Sequence, residues 1–142
     1  MDIVSACLVG LKCRYDGGHK ACTQMVKYLT QRKVLPLCPE QLGGLPTPRL
    51  PVEFTAGSGI EVLIGQARVI NTAAQDVTAQ FIQGAEQTLY IARLVRAKRA
   101  FLKQKSPSCG FGYISQRDKV FPGLGVTAAL LVNSGIEIIP LE

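Results

Sequence analysis

The sequence predicts an α/β protein in which a mostly parallel sheet lies between layers of helices. Four short apolar runs have the β-branched, non-alternating composition that is typical of buried parallel strands. Helix-like segments separate these runs, and this alternation implies parallel pairing with right-handed crossovers. We therefore predict a single domain over residues 1–142 with a three-layer, open, Rossmann-like or flavodoxin-like sheet and one inserted β-hairpin.

The predicted strands and helices follow from the order of these segments. Asp76 is a good N-cap for the longest helix, and a stripe of apolar residues at helical spacing marks its buried face. The last helix ends near Asn133, where Asn-Ser-Gly is a C-cap signal. The predicted strands are Ile3–Ala6, Val34–Leu37, Ala100–Lys103 and Ile136–Ile139; the helices are Cys22–Arg32, the segment after Asp76 with its stripe of Phe81, Ala85, Leu89, Ala92 and Val95, and Val126–Val132.

Two further segments interrupt this alternation. Ile60–Ile64 and Ala67–Ile70 flank Gly65-Gln66, which suits the turn of a β-hairpin. The segment from Pro39 to Pro51 contains four of the eight prolines. It is long for a connection within a small domain, so we interpret it as a shaped active-site loop.

The composition is that of an ordinary globular protein, with 47% hydrophobic and 18% charged residues. Met1 and Asp2 do not begin a secretory leader, and no apolar stretch approaches the roughly 20 residues of a membrane helix. We expect a cytoplasmic protein that does not bind membranes. The net charge of +6 is spread along the chain and fits a solvated surface as well as a small-anion site, so it gives no firm indication of nucleic-acid binding.

Three of the five cysteines follow predicted strands directly. Cys7 comes after the first strand, Cys38 after the second, and Cys109 in the loop after the third. Ligands of open α/β sheets bind at the carboxyl ends of the strands, so these thiols are predicted to converge. They can be small buried hydrophobic residues, ligands of a zinc ion with one open position, or ligands of an iron–sulfur cluster with one open iron. A metal or iron–sulfur site is the favoured interpretation.

The other two cysteines have weaker indications of function. Cys13 lies in a loop and is a candidate functional thiol or a bystander, whereas Cys22 is predicted to face the core or a helix surface. No Cys-x-x-Cys pair is present, and the single histidine, His19, offers little as a ligand.

Polar residues beside the strand-end cysteines are candidates for proton transfer. Glu40 follows Cys38 by two positions, and a carboxylate near a metal can move protons. Ser106 and Ser108 precede Cys109 and are either hydroxyl donors to a ligand or loop caps. Asp16 precedes two glycines and fits a turn as well as a catalytic role.

Two other features of the sequence are candidates for holding a ligand. Residues 122–127 end a loop and open a helix, so their amides can hold an anion, although the segment is neither a P-loop nor Gly-x-Gly-x-x-Gly. Four aromatic residues are candidates for stacking on a flat ring of a ligand, namely Tyr15, Phe54, Phe111 and Tyr113.

Six short motifs follow one another along nearly the whole chain. They are Val4-Ser5-Ala6-Cys7-Leu8-Val9-Gly10, Arg14-Tyr15-Asp16-Gly17-Gly18, Leu37-Cys38-Pro39-Glu40, Gly43-Gly44-Leu45-Pro46-Thr47-Pro48-Arg49, Ser106-Pro107-Ser108-Cys109-Gly110 and Gly125-Val126-Thr127-Ala128-Ala129-Leu130-Leu131. Together they resemble the short single-domain members of the thiouracil desulfidase family. Lys33, where some relatives have glutamate, and the segment Phe111 to Phe121 depart from the family pattern.

The resemblance implies a [4Fe-4S] cluster held by Cys7, Cys38 and Cys109, with one iron that no protein residue binds. That iron is expected to take the sulfur of a thiolated pyrimidine such as 2-thiouracil, so that sulfide and the oxo base are released without net redox change. Asp16, Glu40, Ser106 and Ser108 are our candidates for proton transfer. The alternatives are a non-catalytic iron–sulfur or metal-binding sulfur carrier or sensor, and a hydrolytic zinc enzyme. The oligomeric state is not predicted.

Overall fold

A computed structural model describes all residues from Met1 to Glu142. The chain forms eight strands and five helices, with a 3₁₀ turn at Ala6–Val9 directly after the first strand. The strands are β1 (Asp2–Ser5), β2 (Val34–Leu37), β3 (Val52–Phe54), β4 (Val69–Asn71), β5 (Arg99–Lys103), β6 (Phe111–Gln116), β7 (Lys119–Leu124) and β8 (Glu137–Leu141); the helices are α1 (Thr23–Thr30), α2 (Pro39–Leu42), α3 (Gly59–Leu63), α4 (Thr78–Leu94) and α5 (Val126–Asn133).

The central sheet has four strands in the order β2-β1-β5-β8, and all three pairings are parallel. These are the four strands predicted from the apolar runs, displaced by two residues at most. Both edge strands contain a proline, Pro36 in β2 and Pro140 in β8. Proline cannot donate a ladder hydrogen bond and is therefore confined to edges, where it also blocks pairing with a further strand.

Apolar side chains cover both faces of this sheet, which confirms the three-layer α/β fold. One core cluster joins Ile3 and Leu102 to Leu89 of α4 and Leu131 of α5. A second cluster on the other face joins Val4 and Phe101 of the sheet to Leu8 and Leu29. The alternation arises because successive side chains of a strand point to opposite faces. None of the helices has both the length and the apolar character needed to cross a membrane.

The inserted β-hairpin was predicted in the wrong place. Ile60–Ile64 does not form a strand, because Ser58 and Glu61 make a capping box that starts α3 at Gly59. The second half of the predicted hairpin is close to β4, which pairs antiparallel with β3.

The hairpin that does exist is formed by β6 and β7. Its two turn residues, Arg117 and Asp118, have φ values of 49° and 60°. A two-residue turn of this kind normally has Asn-Gly or Asp-Gly, so the sequence gives no turn signal at this position.

Two glycines allow α2 to lie directly on α4. A Cβ atom added to Gly43 would lie 2.0 Å from the carbonyl oxygen of Gln80, and one added to Gly84 would lie 2.1 Å from that of Pro39. Any side chain at either position would push the two helices apart. Because Cys38 and Glu40 stand at the start of α2, this contact fixes the position of both residues.

One buried hydroxyl in α5 has no hydrogen-bond partner. Thr127 is fully buried, and its Oγ1 atom contacts no donor or acceptor. Burial of an unpaired hydroxyl costs about 1–3 kcal/mol. We expect Thr127→Val to raise the free energy of unfolding by about 1 kcal/mol, measured by urea denaturation.

Thr88 is the matched control for this substitution. It is equally buried in a helix, but its hydroxyl donates to the carbonyl of Gly84 at 2.7 Å. Thr88→Val should therefore lower the free energy of unfolding by about 1 kcal/mol. Equal losses for the two variants would show that the Thr127 hydroxyl has a partner after all.

Candidate functional site

A cavity of about 720 Å³ opens at the carboxyl ends of the parallel strands. Each of the four strands contributes to its wall at its carboxyl end. Ser5, Leu37 and Lys103 are the last residues of β1, β2 and β5, and Glu142 directly follows β8. This is the edge at which open α/β sheets bind ligands.

Cys7, Cys38 and Cys109 all line this cavity. Cys7 lies in the 3₁₀ turn after β1, Cys38 is the N-cap of α2, and Cys109 is in the loop between β5 and β6. The three thiols are close enough that a negative charge on Cys38 or Cys109 opposes ionisation of Cys7. The structure thus brings together the three cysteines that the strand order selected.

The protein alone does not favour three thiolates at this site. Burial raises the pKa of Cys109 to about 12, although hydrogen bonds from Ser5 and Ser108 oppose that shift. Hydrogen bonding to Cys13, together with burial, raises the pKa of Cys38 well above its usual range. Cys7 differs, because hydrogen bonding with Cys13 lowers its pKa. Three ionised sulfurs therefore require a cationic group that replaces the thiol protons, as metal binding does.

The donor set fits an iron–sulfur cluster. Thiolates select soft metals and iron–sulfur centres, and a cubane takes one cysteine per iron, so its ligands lie around the cluster and not around one ion. In agreement, no three His, Cys, Asp or Glu side chains come close enough to surround a single metal ion. Six basic and four acidic side chains line the cavity, and this surplus of two positive charges offsets part of the charge of three thiolates.

Cys13 lies beside two of these cysteines. It is 3% exposed, packs in the same apolar cluster as Cys7, and its carbonyl oxygen accepts a hydrogen bond from the Cys38 thiol at 3.7 Å. Hydrogen bonding with Cys38 lowers its pKa, but hydrogen bonding with Cys7 and burial outweigh that effect and raise the pKa to about 11. Cys22 is exposed and does not line the cavity.

The start of α5 holds the loop that contains Cys109. The amides of Gly125, Val126 and Ala128 donate to the carbonyls of Gly110, Pro107 and Ser108 at 2.7, 2.9 and 3.0 Å. These amides therefore have protein partners. Residues 122–127 are only a weak candidate for anion binding in the sequence, and in the structure the amides of Gly125 and Val126 are bonded to the Cys109 loop.

A chain of hydrogen bonds runs along the cavity wall through Glu40. Its Oε2 atom accepts from the Ser108 hydroxyl at 3.1 Å, and its Oε1 atom accepts from Nε of Arg49 at 3.3 Å. Ser106 and Ser108 are joined through their hydroxyl oxygens at 3.2 Å. The structure thus places three of the four predicted proton-transfer residues in one connected network.

The backbone sets the direction of this network. The Ser106 hydroxyl oxygen accepts the amides of Ser108 and Cys109 at 3.2 and 3.1 Å, which occupies both of its lone pairs. Its proton is then free to point to Ser108. The Ser108 hydroxyl has two acceptors, Oε2 of Glu40 at 3.1 Å and the sulfur of Cys109 at 3.9 Å, and the carboxylate is the nearer and stronger one. The hydroxyl protons are ordered from Ser106 through Ser108 toward the carboxylate.

The fourth predicted residue, Asp16, is not part of this network. Its carboxylate accepts the Gly18 amide at 2.8 Å and lies 3.9 Å from Arg14, and its side chain does not line the cavity. This is the arrangement of an Asx turn, in which an aspartate satisfies its own backbone. The structure therefore gives Asp16 a role in shaping the loop before Lys20.

Among the predicted stacking residues, Tyr15 lines the cavity and is 43% exposed. Phe54 is buried in an apolar cluster away from the cavity, and neither Phe111 nor Tyr113 contributes to its wall. Tyr15 is thus the one aromatic side chain available to a ligand there.

Sequence reasoning assigned no role to Arg49, Lys103 or Ser5. Arg49 is the last residue of the motif that begins at Gly43, within the proline-rich segment, so the sequence did mark its position. Ser5 is 2% exposed, and its hydroxyl accepts the amide of Lys103 at 3.0 Å, which ties the ends of β1 and β5 together. Burial lowers the pKa of Lys103, whose side chain donates to the carbonyl of Gln104.

Comparisons with known proteins relate the whole chain to one family. A family model described as 2-thiouracil desulfurase matches residues 3–142. A protein of Bacillus subtilis (strain 168), described as uncharacterized protein YbbK, is 42% identical, with 98% of this chain and 94% of that protein covered. A solved structure of the [4Fe-4S]-dependent thiouracil desulfidase TudS is 39% identical, with a TM-score of 0.85 over 98% of this chain and 89% of that one.

Proposed function

Because the chain belongs to the 2-thiouracil desulfurase family, we propose that it is a desulfidase of thiolated pyrimidines such as 2-thiouracil. The reaction exchanges the thiocarbonyl sulfur for oxygen from water, so that the thio base and water give the oxo base and hydrogen sulfide. Oxidation states do not change. One observation carries the proposal: three cysteines from separate strand ends surround a cavity whose wall holds the Glu40–Ser108–Ser106 network.

Cys7, Cys38 and Cys109 would hold a [4Fe-4S] cluster, as the comparison with a [4Fe-4S]-dependent enzyme supports. Three protein ligands leave one iron open, and this iron supplies a soft Lewis acid for the substrate sulfur. In this proposal, residues 1–142 form one desulfidase domain, and its physiological substrate is a small thiolated base.

The chain's own residues would position the base and move protons. Tyr15 offers a ring face on which a pyrimidine can stack. Glu40, through the Ser108 hydroxyl, can accept a proton from the attacking water and return it to the departing sulfur or a ring nitrogen, while Ser106 fixes the direction of the Ser108 hydroxyl. The ordered hydroxyls keep this transfer on a fixed path at the cavity wall.

Anaerobic reconstitution with iron and sulfide, followed by an assay with 2-thiouracil, tests this function. We expect about four irons per chain, and uracil and sulfide in equal amounts. The matched control is the same preparation after its cluster has been removed by a chelator, which should release neither product. A full cluster with no turnover of any thiolated pyrimidine would overturn the proposal in favour of a carrier or sensor.

Cys13 distinguishes an enzyme with three ligands from a sensor with four. We expect Cys13→Ser to retain the full iron content and activity within about threefold, because three strand-end cysteines suffice as ligands. The cost should be a loss of stability of about 1–2 kcal/mol, since a hydroxyl enters an apolar cluster. Iron analysis and thermal unfolding beside Cys22→Ser measure both effects. Loss of the cluster in the Cys13 variant alone would make Cys13 a ligand.

A further inference from the structure

Arg49 is the most extensively bonded side chain at the site. Its guanidinium carries five N–H groups, and the structure supplies five acceptors. Nε donates to Glu40 at 3.3 Å; Nη1 donates to the Pro46 carbonyl at 3.2 Å and the Thr47 hydroxyl at 3.0 Å; Nη2 donates to the Cys13 carbonyl at 2.9 Å and the Cys38 sulfur at 3.9 Å. Such complete satisfaction fixes the plane of the group.

The burial of Arg49 makes these contacts strong. Its side chain is 5% exposed, and that of Glu40 is 13% exposed. Burial disfavours the positive charge, but attraction to Glu40 and the hydrogen bond between them outweigh it and raise the pKa of Arg49. The hydrogen bonds of the Arg49 guanidinium are therefore charge-assisted, and solvent screens them little because the group is buried.

Arg49 contacts two groups with different tasks. Through Nε it holds the oxygen of Glu40 opposite to the one that receives Ser108, and this fixes the carboxylate in the plane of the relay. Through Nη2 it points a cationic donor at the sulfur of Cys38. No other side chain in the structure donates to both residues.

We propose that Arg49 is a positioning residue that links the cluster ligand Cys38 to the proton relay at Glu40. This inference rests on the proposed function and extends it. Hydrogen bonds to cluster sulfurs and nearby positive charge raise the reduction potential of an iron–sulfur cluster, and partners around a metal site change activity 10–100-fold. Arg49 therefore affects both the potential of the cluster and the rate of turnover.

The test compares Arg49→Lys, Arg49→Gln and Glu40→Gln in reconstituted protein. Arg49→Lys keeps the charge but loses the fork of donors, whereas Arg49→Gln loses both. We expect the cluster potential to become more negative in the order wild type, Arg49→Lys, Arg49→Gln, with kcat lowered about 10–100-fold and KM nearly unchanged. Glu40→Gln should lower kcat and make the potential more positive, in the direction opposite to the Arg49 variants, because it removes a negative charge that acts on Cys38 and Cys109.

Two further variants complete the design. Arg68→Lys is the control, because Arg68 forms an exposed ion pair with Asp76 and lies outside the cavity; both readouts should stay at wild-type values. Thr47→Val removes one acceptor of Nη1 without touching the ligands, and gives a folded test if the Arg49 variants do not fold. Thr47→Val should lower kcat about threefold and make the cluster potential slightly more negative, as in the Arg49 variants.

The outcomes separate the two proposals. Unchanged potentials in the Arg49 variants, or in Thr47→Val where those do not fold, would overturn the inference whatever the activity. Normal turnover in Glu40→Gln would instead remove the relay from the proposed function. A shifted potential with normal kcat would show that Arg49 acts on Cys38 alone and would overturn the link.

Discussion

Cys109→Ala should abolish the iron–sulfur cluster and all desulfidase activity. Cys109 is 4% exposed and is held at the cavity by a loop whose carbonyls accept the amides of α5. Removal of one of three ligands leaves two irons without protein contact. We expect iron content to fall from about four per chain to a small fraction, and activity to fall by more than the roughly 100-fold typical of changes around a metal site.

The same result is expected for Cys7→Ala and Cys38→Ala, measured by iron and acid-labile sulfide analysis after anaerobic reconstitution. Cys22→Ala is the matched control, since Cys22 is exposed and lies outside the cavity. Circular dichroism should show that all four variants keep the fold. A full cluster in any one of the three ligand variants would remove that cysteine from the assignment.

The parallel sheet could be predicted because its strands are buried on both faces. Such strands appear as uninterrupted apolar runs, and Ile3, Val4 and Leu102 are fully buried in the structure. The β6–β7 hairpin could not be predicted, because its residues are half-exposed and its turn residues, Arg117 and Asp118, adopt a positive φ without the glycine that usually marks such a turn. The helix at Gly59 was missed because a β-branched run outweighed the capping box of Ser58 and Glu61.

The sequence predicts the part of the candidate site that the order of the strands determines, namely the three cysteines at the strand ends. The rule that strand ends meet at one edge places Cys7, Cys38 and Cys109 together without any knowledge of side-chain contacts. Glu40 and Ser108 are 68 positions apart, and their contact depends on the close approach of α2 to α4 through Gly43 and Gly84. The partners of Arg49 were beyond sequence reasoning for the same reason, since they depend on the conformation of loop side chains. Asp16 differs, because the turn that it forms is one of the two roles that the sequence allowed.

Glu40→Gln is the second variant with a large expected effect, because it removes the proton acceptor of the relay while nearly keeping its shape. It also removes the negative charge that is paired with Arg49. The amide has nearly the same shape but cannot accept hydrogen bonds on both of its terminal atoms. With its oxygen toward Arg49, its NH₂ group faces Ser108 and reverses that hydroxyl, which breaks the ordered path from Ser106. We expect kcat to fall about 10²–10⁴-fold with an unchanged iron content.

Glu53 provides the matched control for this effect. It is a second carboxylate at the cavity wall, but it pairs with Arg117 and makes no contact with the serines. Glu53→Gln should therefore stay within about threefold of the wild-type rate, since a largely exposed ion pair contributes little. If both variants lost activity equally, the cause would be the charge of the cavity and not the relay. A specific loss in Glu40→Gln, with Ser108→Ala giving a similar loss, would mean that the carboxylate acts through the hydroxyl chain.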